Sequence, residues 1–337
     1  MQVLTSIVLD FSKAWWLIII ISFLISFYMS RSFIVDHPNE RSLHHTPTPR
    51  GGGLAFVVPT SLLFIVISMY QPLMFFLFLP SFLMAIMGFW DDCSSISWKK
   101  RFLFQVFFAI WTSAICMFFT DSALAFTLLE KMLLFVFGVL WLIALGNMYN
   151  FMDGIDGNAA IEAIGVCLFF SFIALRVQSF EAYSFTYYIL FGVATFLVFN
   201  FPKARLFMGD VGSQFLGFIF GTLGLLITII NWDYFFVMPL LLFNFIFDAS
   251  WTILVRFFKG DDIFKAHQTH LYQKLVLRGW QHWQVSLLSG LFVLFQGSIL
   301  LLGVYYWQLK SWEGLLLFIP VALVQGVYAF YGYCCQK

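Results

Sequence analysis

Residues 73–90 read LMFFLFLPSFLMAIMGFW and run directly into Asp91-Asp92. A helix needs about 20 apolar residues to cross the hydrocarbon core of a bilayer. This stretch meets that need without one charge, then ends on two adjacent carboxylates. The pattern repeats in both directions. Comparable apolar runs stand near 14–30, 54–70, 102–120, 128–148, 159–177, 185–200, 213–230, 235–255, 285–305 and 314–333, which makes eleven with the first. Of the 337 residues, 61% are apolar and only 10% charged, against about 25% charged in an ordinary soluble domain. There is too little polar surface to wrap a water-soluble globule. A transmembrane barrel would show weak alternating segments instead. The expectation is an all-α polytopic membrane protein of about 11 transmembrane helices, one integral-membrane domain over 1–337. The first run lacks a small-x-small cleavage site and reads as a retained anchor.

Lysine and arginine orient the spans. Numbering the connections alternately puts fourteen of the eighteen basic residues on one side, leaving Lys13, Lys131, Arg176 and Lys310 on the other. The positive-inside rule then sets five cytoplasmic loops, the N-terminus outside and the C-terminus inside. Those five loops hold all six histidines and most of the acids. Chemistry gathered on one face suits an enzyme acting at that face. A pump or channel would carry charges through its spans, and Asp248 is the main one inside. A net charge of +1 gives no field for gathering nucleic acid. The five cysteines are scattered, without a C-x-x-C, and read as small core residues.

The first loop joins Asp36, His44, His45, Arg41 and Arg50 to Gly51-Gly52-Gly53, a setting for phosphate or for another chain segment at close approach. The second is Asp91-Asp92 with Lys99, Lys100 and Arg101 close behind. Adjacent carboxylates repel unless a cation or proton is shared. In the third, Asn147, Asn150, Asp153 and Asp156 recur every third residue, a row of oxygen ligands down one helical face. The fourth holds Asn200, Lys203, Arg205 and Phe207, with Asp210 between Gly209 and Gly212. Gly212 and Ser213 are expected to open the next helix, whose N–H groups suit an anion. The fifth carries His267, His270 and Lys274, which share a face if the stretch is helical. Two histidines without His-Glu-x-x-His are too few for a structural zinc site. Asp91, Asp92, Asp153, Asp156 and Asp210 suit Mg²⁺, a hard cation that takes oxygen ligands beside substrate phosphates. The residues alone therefore point to a Mg²⁺-dependent enzyme of phosphorylated substrates at the inner membrane face.

The ordered motifs Asp36-x-Pro38, Arg41-x-x-His44, Pro49-Arg50-Gly51-Gly52-Gly53, Asp91-Asp92, Asn150-Phe151-Met152-Asp153-Gly154-Ile155-Asp156-Gly157, Asn200-x-Pro202, Phe207-Met208-Gly209-Asp210-x-Gly212-Ser213 and His267-x-x-His270 extend from the first loop to the fifth. This set resembles the polyprenyl-phosphate N-acetylhexosamine-1-phosphate transferases, of glycosyltransferase family 4 type. The resemblance implies transfer of a sugar-1-phosphate from a UDP-sugar to undecaprenyl phosphate, with release of UMP, in the bacterial inner membrane. It implies Mg²⁺ as cofactor, with Mn²⁺ as its substitute. Asp210 is then the most direct metal ligand, joined by Asp153, and Asp153, Asp156 and Asn150 line the nucleotide and metal site. Phe207 stacks on uracil, and a carboxylate of Asp91-Asp92 is the expected base toward the lipid phosphate. His267 and His270 face the diphosphate. Arg50, His45, Lys100, Arg101, Asn147 and Asn200 complete the substrate-binding set, and Gly51 and Gly52 leave room for the cleft. The fifth loop lacks three consecutive histidines. Its His267-x-x-His270-x-Tyr272-Gln273 is similar to the branch that starts O-antigen or capsule repeats in lipopolysaccharide biosynthesis, with N-acetylfucosamine, N-acetylquinovosamine or N-acetylglucosamine as the sugar. A homodimer is the candidate assembly. The rival readings are a transporter of nucleotide- or lipid-linked sugars and a non-catalytic scaffold; only the enzyme generates UMP.

Overall fold

The computed structural model describes residues 15–38, 43–44, 46–120, 126–262 and 267–334. His45 and Arg41, both singled out above, lie outside the described residues. The described residues are all-α apart from a two-residue antiparallel pairing in the first loop, β1 (Val35–Asp36) with β2 (Thr48–Pro49). The helices are α1 (Trp15–Met29), α2 (Leu54–Tyr70), α3 (Pro72–Ser94), α4 (Trp98–Phe118), α5 (Leu128–Met152), α6 (Asn158–Arg176) and α7 (Phe180–Asn200). Then come α8 (Gly209–Ile230), α9 (Val237–Leu241), α10 (Phe243–Lys259), α11 (Leu271–Leu277), α12 (His282–Leu301) and α13 (Phe318–Cys334). Among the described residues eight helical segments are long and apolar enough to span a bilayer. A ninth arises if α9 and α10 count as one broken span, while α1 and α2 are shorter apolar helices.

Helix α8 is the axis of the bundle. It packs chiefly against α3 and α5, and most of its residues are buried. Lipid offers no hydrophobic drive between helices, so small residues that let backbones approach closely decide which pairs form. At Gly88 of α3 an added Cβ would lie 2.3 Å from the Asp210 carbonyl oxygen. Only glycine there allows the ends of α3 and α8 to touch, and that contact joins the second loop to the fourth.

The run expected over 235–255 is not one straight span. The chain bends by 68° between α9 and α10. Gln296 of α12 is fully buried at the break and, with its amide oriented by the surrounding groups, donates to Leu241 O (3.0 Å) and accepts from Asn244 N (3.1 Å). A side chain that satisfies freed backbone groups makes such a break tolerable in lipid. Two carboxylates are fully buried in α6 and α10. Asp248 accepts the N–H groups of Leu271 (2.9 Å) and Tyr272 (3.1 Å), capping α11, which gives it a structural partner rather than a place on a pathway. Glu162 of α6, not noticed in the sequence, stands beside Asn244.

Candidate active site

Helix α3 delivers Asp91 and Asp92 in its last turn, and the fold gives the two carboxylates separate partners. Asp92 is buried and accepts the backbone N–H groups of Asp210 (3.0 Å) and Val211 (3.1 Å). Free N–H groups and the helix dipole both favour a carboxylate at that position. The anion at the mouth of α8 is therefore supplied by the chain, and the helix opens at Gly209 rather than near Ser213. Arg50 backs Asp92, with Nε 3.8 Å from its carboxylate and Nη2 donating to its carbonyl. Asp91 turns the other way. It accepts from the Ile96 N–H and from Arg101 Nη1 at 2.9 Å, and the same nitrogen reaches Asp210 Oδ2 at 3.1 Å.

The polar row on α5 is real for its first two members. Asn147 exchanges amide hydrogen bonds with Gln105 (2.9 and 3.2 Å), and Gln105 donates on to Gln214 (3.2 Å), a packed amide cluster outside the cleft lining. One turn later Asn150 donates to Asp210 Oδ1 and to Ser213 Oγ, both at 2.9 Å. The helix ends at Met152, so Asp153 and Asp156 belong to the following turn and not to the helical face. Asp153 has no side-chain hydrogen-bond partner among the described residues. Burial, reinforced by Asp210, Asp92 and Asp156, pushes its carboxyl well above the usual range.

The first loop closes on the fourth. Gly52 N–H donates to Phe207 O (2.9 Å), Gly53 N–H to Met208 O (2.8 Å), and Phe207 N–H to Pro49 O (2.8 Å). A Cβ on Gly52 would lie 2.3 Å from the Phe196 ring, and one on Gly53 2.3 Å from Gly212 Cα. The glycine run is thus a seam between chain segments, and neither Gly51 nor Gly52 lines the cleft.

The cleft so formed holds about 270 Å³. Its walls bring together Asp92, Asp153, Asp156 and Asp210 with Arg50, Asn150, Asn200 and Phe207. Asp36, His44, Gln273 and His282 also line it. Asp91, Lys100, Arg101, His267 and His270 do not. Lys100 is exposed, while Arg101 acts from behind through Asp210. His270 is the buried N-cap of α11, its Nδ1 3.3 Å from Asp248 Oδ1, so α11 begins after it and the 267–274 stretch does not present one helical face. His267 holds Nδ1 2.9 Å from Thr269 Oγ1. Tyr272 spends its hydroxyl on Phe151 O (2.8 Å). The histidine whose ring does reach the acids is His282, with Nδ1 3.3 Å from Asp156 Oδ2. Its sequence signal was faint: a lone titratable residue opening an apolar run.

Burial, with His270 and Arg256 nearby, lowers His267 from 6.5 to about 4. Unfolded chain binds a proton there that folded chain refuses, so His267 stabilises the fold above about 6.5 and that stability is lost as pH falls toward 4. His267→Asn should therefore flatten the acid limb of the thermal midpoint between pH 6.5 and 4. An unchanged limb in detergent-solubilised protein would remove His267 from that account.

Among the described residues no three His, Cys, Asp or Glu side chains converge as a ready-made ion site. The donor chemistry nonetheless fits a hard cation. Asp153 offers an unpartnered carboxylate, and crowded like charges call for a neutralising ion.

Residues 74–228 match glycosyl transferase family 4. The chain is 30% identical over 292 residues to the phospho-N-acetylmuramoyl-pentapeptide-transferase of Staphylococcus aureus (strain MSSA476), covering 77% of this chain and 88% of that one. It is 29% identical over 259 residues to the probable undecaprenyl-phosphate N-acetylglucosaminyl 1-phosphate transferase of Bacillus subtilis (strain 168), covering 74% and 71%.

Proposed function

This chain belongs to glycosyl transferase family 4, and we propose that it transfers an N-acetylated amino sugar-1-phosphate from a UDP-sugar to undecaprenyl phosphate, releasing UMP. The observation that carries this reading is the convergence of Asp92, Asp153, Asp156 and Asp210 with Arg50 and Phe207 on one small cleft, built by loops far apart in sequence. An N-acetylfucosamine, N-acetylquinovosamine or N-acetylglucosamine donor fits the fifth loop, which lacks three consecutive histidines. The Bacillus relative, whose name includes an N-acetylglucosaminyl group, supports an amino sugar. The charge bias of the loops supports a cleft on the cytoplasmic side of a bacterial inner membrane, with O-antigen-type polysaccharide as the end product.

In this reaction an oxygen of the lipid phosphate attacks the sugar-linked phosphorus, and the bond to the UMP oxygen breaks with its electron pair leaving on UMP. Asp210 and Asp153 would hold Mg²⁺, which supplies charge neutralisation at the diphosphate. The chain's own groups do the rest by position. Asp92 fixes the start of α8 and so places Asp210; Asn150 holds one Asp210 oxygen and Arg101 the other. Arg50 supplies a cation at the cleft wall, and Phe207 a ring for uracil. A phosphate monoester's second pKa is about 6, so the lipid phosphate arrives largely as a dianion and needs little help from a base. Asp91 and Asp92, whose oxygens are already engaged, then act through placement.

Arg101 and Lys100 are adjacent but unequal in this account. Arg101→Ala frees two carboxylates from their shared guanidinium and should lower turnover about a hundredfold, whereas Lys100→Ala should leave it within about twofold, as for a solvated surface charge. Equal effects in a steady-state assay would contradict the arrangement. The test of the function itself is UMP release from purified protein given undecaprenyl phosphate, Mg²⁺ and a panel of UDP-sugars. Lipid-dependent UMP from one donor establishes the reaction and names the sugar; none from any donor favours the transporter or scaffold.

A further inference from the structure

We propose that Glu162, with the side-chain oxygen of Asn158, holds an alkali cation, Na⁺ or K⁺, inside the bundle beside the broken span. The inference rests on the packing of α6 and is independent of the transfer reaction. Both residues are fully buried, and neither lines the cleft. They stand four apart on α6 and are therefore neighbours on one helical face. That face meets the end of α5. Asn158 Nδ2 donates to Met152 O at 2.8 Å, and Tyr149, one turn earlier on α5, donates its hydroxyl to Ala159 O at 2.7 Å. Three oxygens on this face, Asn158 Oδ1 and both carboxylate oxygens of Glu162, have no hydrogen-bond partner among the described residues.

A carboxylate inside a membrane bundle is costly, and it persists where something answers its charge. Asp92 and Asp248 show what that takes: each accepts two backbone N–H groups, and Asp92 also has Arg50 beside it. Glu162 has no such support. Among the described residues no Lys, Arg or His pairs with it, and the group that faces it from α10 is the Asn244 amide. Asn244 gives its Oδ1 to Gln325 Nε2 of α13 at 3.2 Å, which leaves its NH₂ for Glu162. A donor there favours the ionised form, yet one amide cannot satisfy the about four lone-pair sites of a carboxylate. The backbone at the break offers nothing more, because Gln296 already takes the Asn244 N–H and the Leu241 carbonyl. A monovalent cation balances one carboxylate, whereas a divalent one would leave a net charge buried. Discontinuous membrane helices are a recurrent setting for bound Na⁺. In this position the ion braces the first turns of α6, directly behind the Asp153–Asp156 turn.

The test is the thermal midpoint of the purified full-length chain in detergent, free of divalent ions, with NaCl or KCl exchanged for N-methyl-D-glucamine chloride at constant ionic strength. Wild type should gain about 5 °C, saturably, from Na⁺ or K⁺ once the ion exceeds its dissociation constant about a hundredfold. The bulky organic cation should give nothing, and whichever alkali ion acts at lower concentration is the ligand. Glu162→Gln keeps the shape and removes the charge, so its midpoint should be the same in all three salts. Asn158→Ala should need at least about tenfold more cation for the same gain. Should either variant fail to fold, binding of ²²Na⁺, or of ⁸⁶Rb⁺ as the tracer for K⁺, to wild type decides alone, with saturation expected at one ion per chain. A wild-type midpoint indifferent to the three salts would mean that a proton or a water satisfies Glu162, and would overturn the inference. An undiminished cation effect in Glu162→Gln would place the ion elsewhere and overturn it equally. UMP release is measured separately, so either result leaves the transferase reading where its own assay puts it.

Discussion

Asp210→Asn should lower lipid-dependent UMP release by about a thousandfold while the protein stays folded. The expectation follows from what each Asp210 oxygen does. Oδ1 accepts from Asn150 at 2.9 Å, a bond that the amide oxygen of Asn can keep. Oδ2 accepts from Arg101 at 3.1 Å, and an amide NH₂ there loses both that bond and the negative charge a hard cation requires. The backbone N–H of residue 210 still donates to Asp92, so the start of α8 is preserved. Structure and chemistry are therefore separable at this residue. Steady-state turnover beside a thermal midpoint separates them experimentally, and full activity in the variant would remove Asp210 from the metal site.

Gly88→Val should produce the second large effect, about a hundredfold in turnover, without touching a charged group. A Cβ at position 88 lies 2.3 Å from the Asp210 carbonyl oxygen and 2.7 Å from Val211 N. Both are backbone atoms of the first turn of α8 and have no flexible end to swing aside. Relief requires α3 and α8 to part, which costs about 1–3 kcal/mol of packing. It also draws Asp92 away from the N–H groups it caps. A displacement of about 1 Å in a catalytic constellation is enough for a hundredfold loss. The check is a lowered thermal midpoint together with lowered turnover. Wild-type values for both would mean that the α3–α8 contact does not set the site.

The all-α membrane architecture and the acidic loops were legible because both are written locally. A run such as 73–90 needs no partner to be read as a span, and Asn150, Asp153, Asp156 and Asp210 stand out by type and spacing. What escaped depends on contacts between distant segments. Asp92 caps a helix whose first residues are 118 and 119 positions away, so the free helix mouth expected for a substrate anion was already filled by the chain. The glycines at 51–53 read equally well as room for a ligand or for a neighbouring loop, and only the approach of Phe207 and Gly212 decided for the loop. Asn147 and Asn150 share a helical face, yet the depth along α5 sends one into an amide cluster and the other into the cleft. His282 lies 126 residues from Asp156, at the head of a hydrophobic helix where nothing in the flanking sequence advertises it. The bend between α9 and α10 is stabilised by Gln296, which no local pattern links to the break.

The central claim is that a phosphoryl group moves together with the sugar. It is tested most directly with a UDP-sugar carrying ³²P in the phosphate next to the sugar, incubated with the purified protein, undecaprenyl phosphate and Mg²⁺. The account predicts that the label enters the lipid fraction in step with unlabelled UMP. Sugar appearing on the lipid while the label remains in water-soluble UDP would mean that the sugar alone is transferred, and would contradict it.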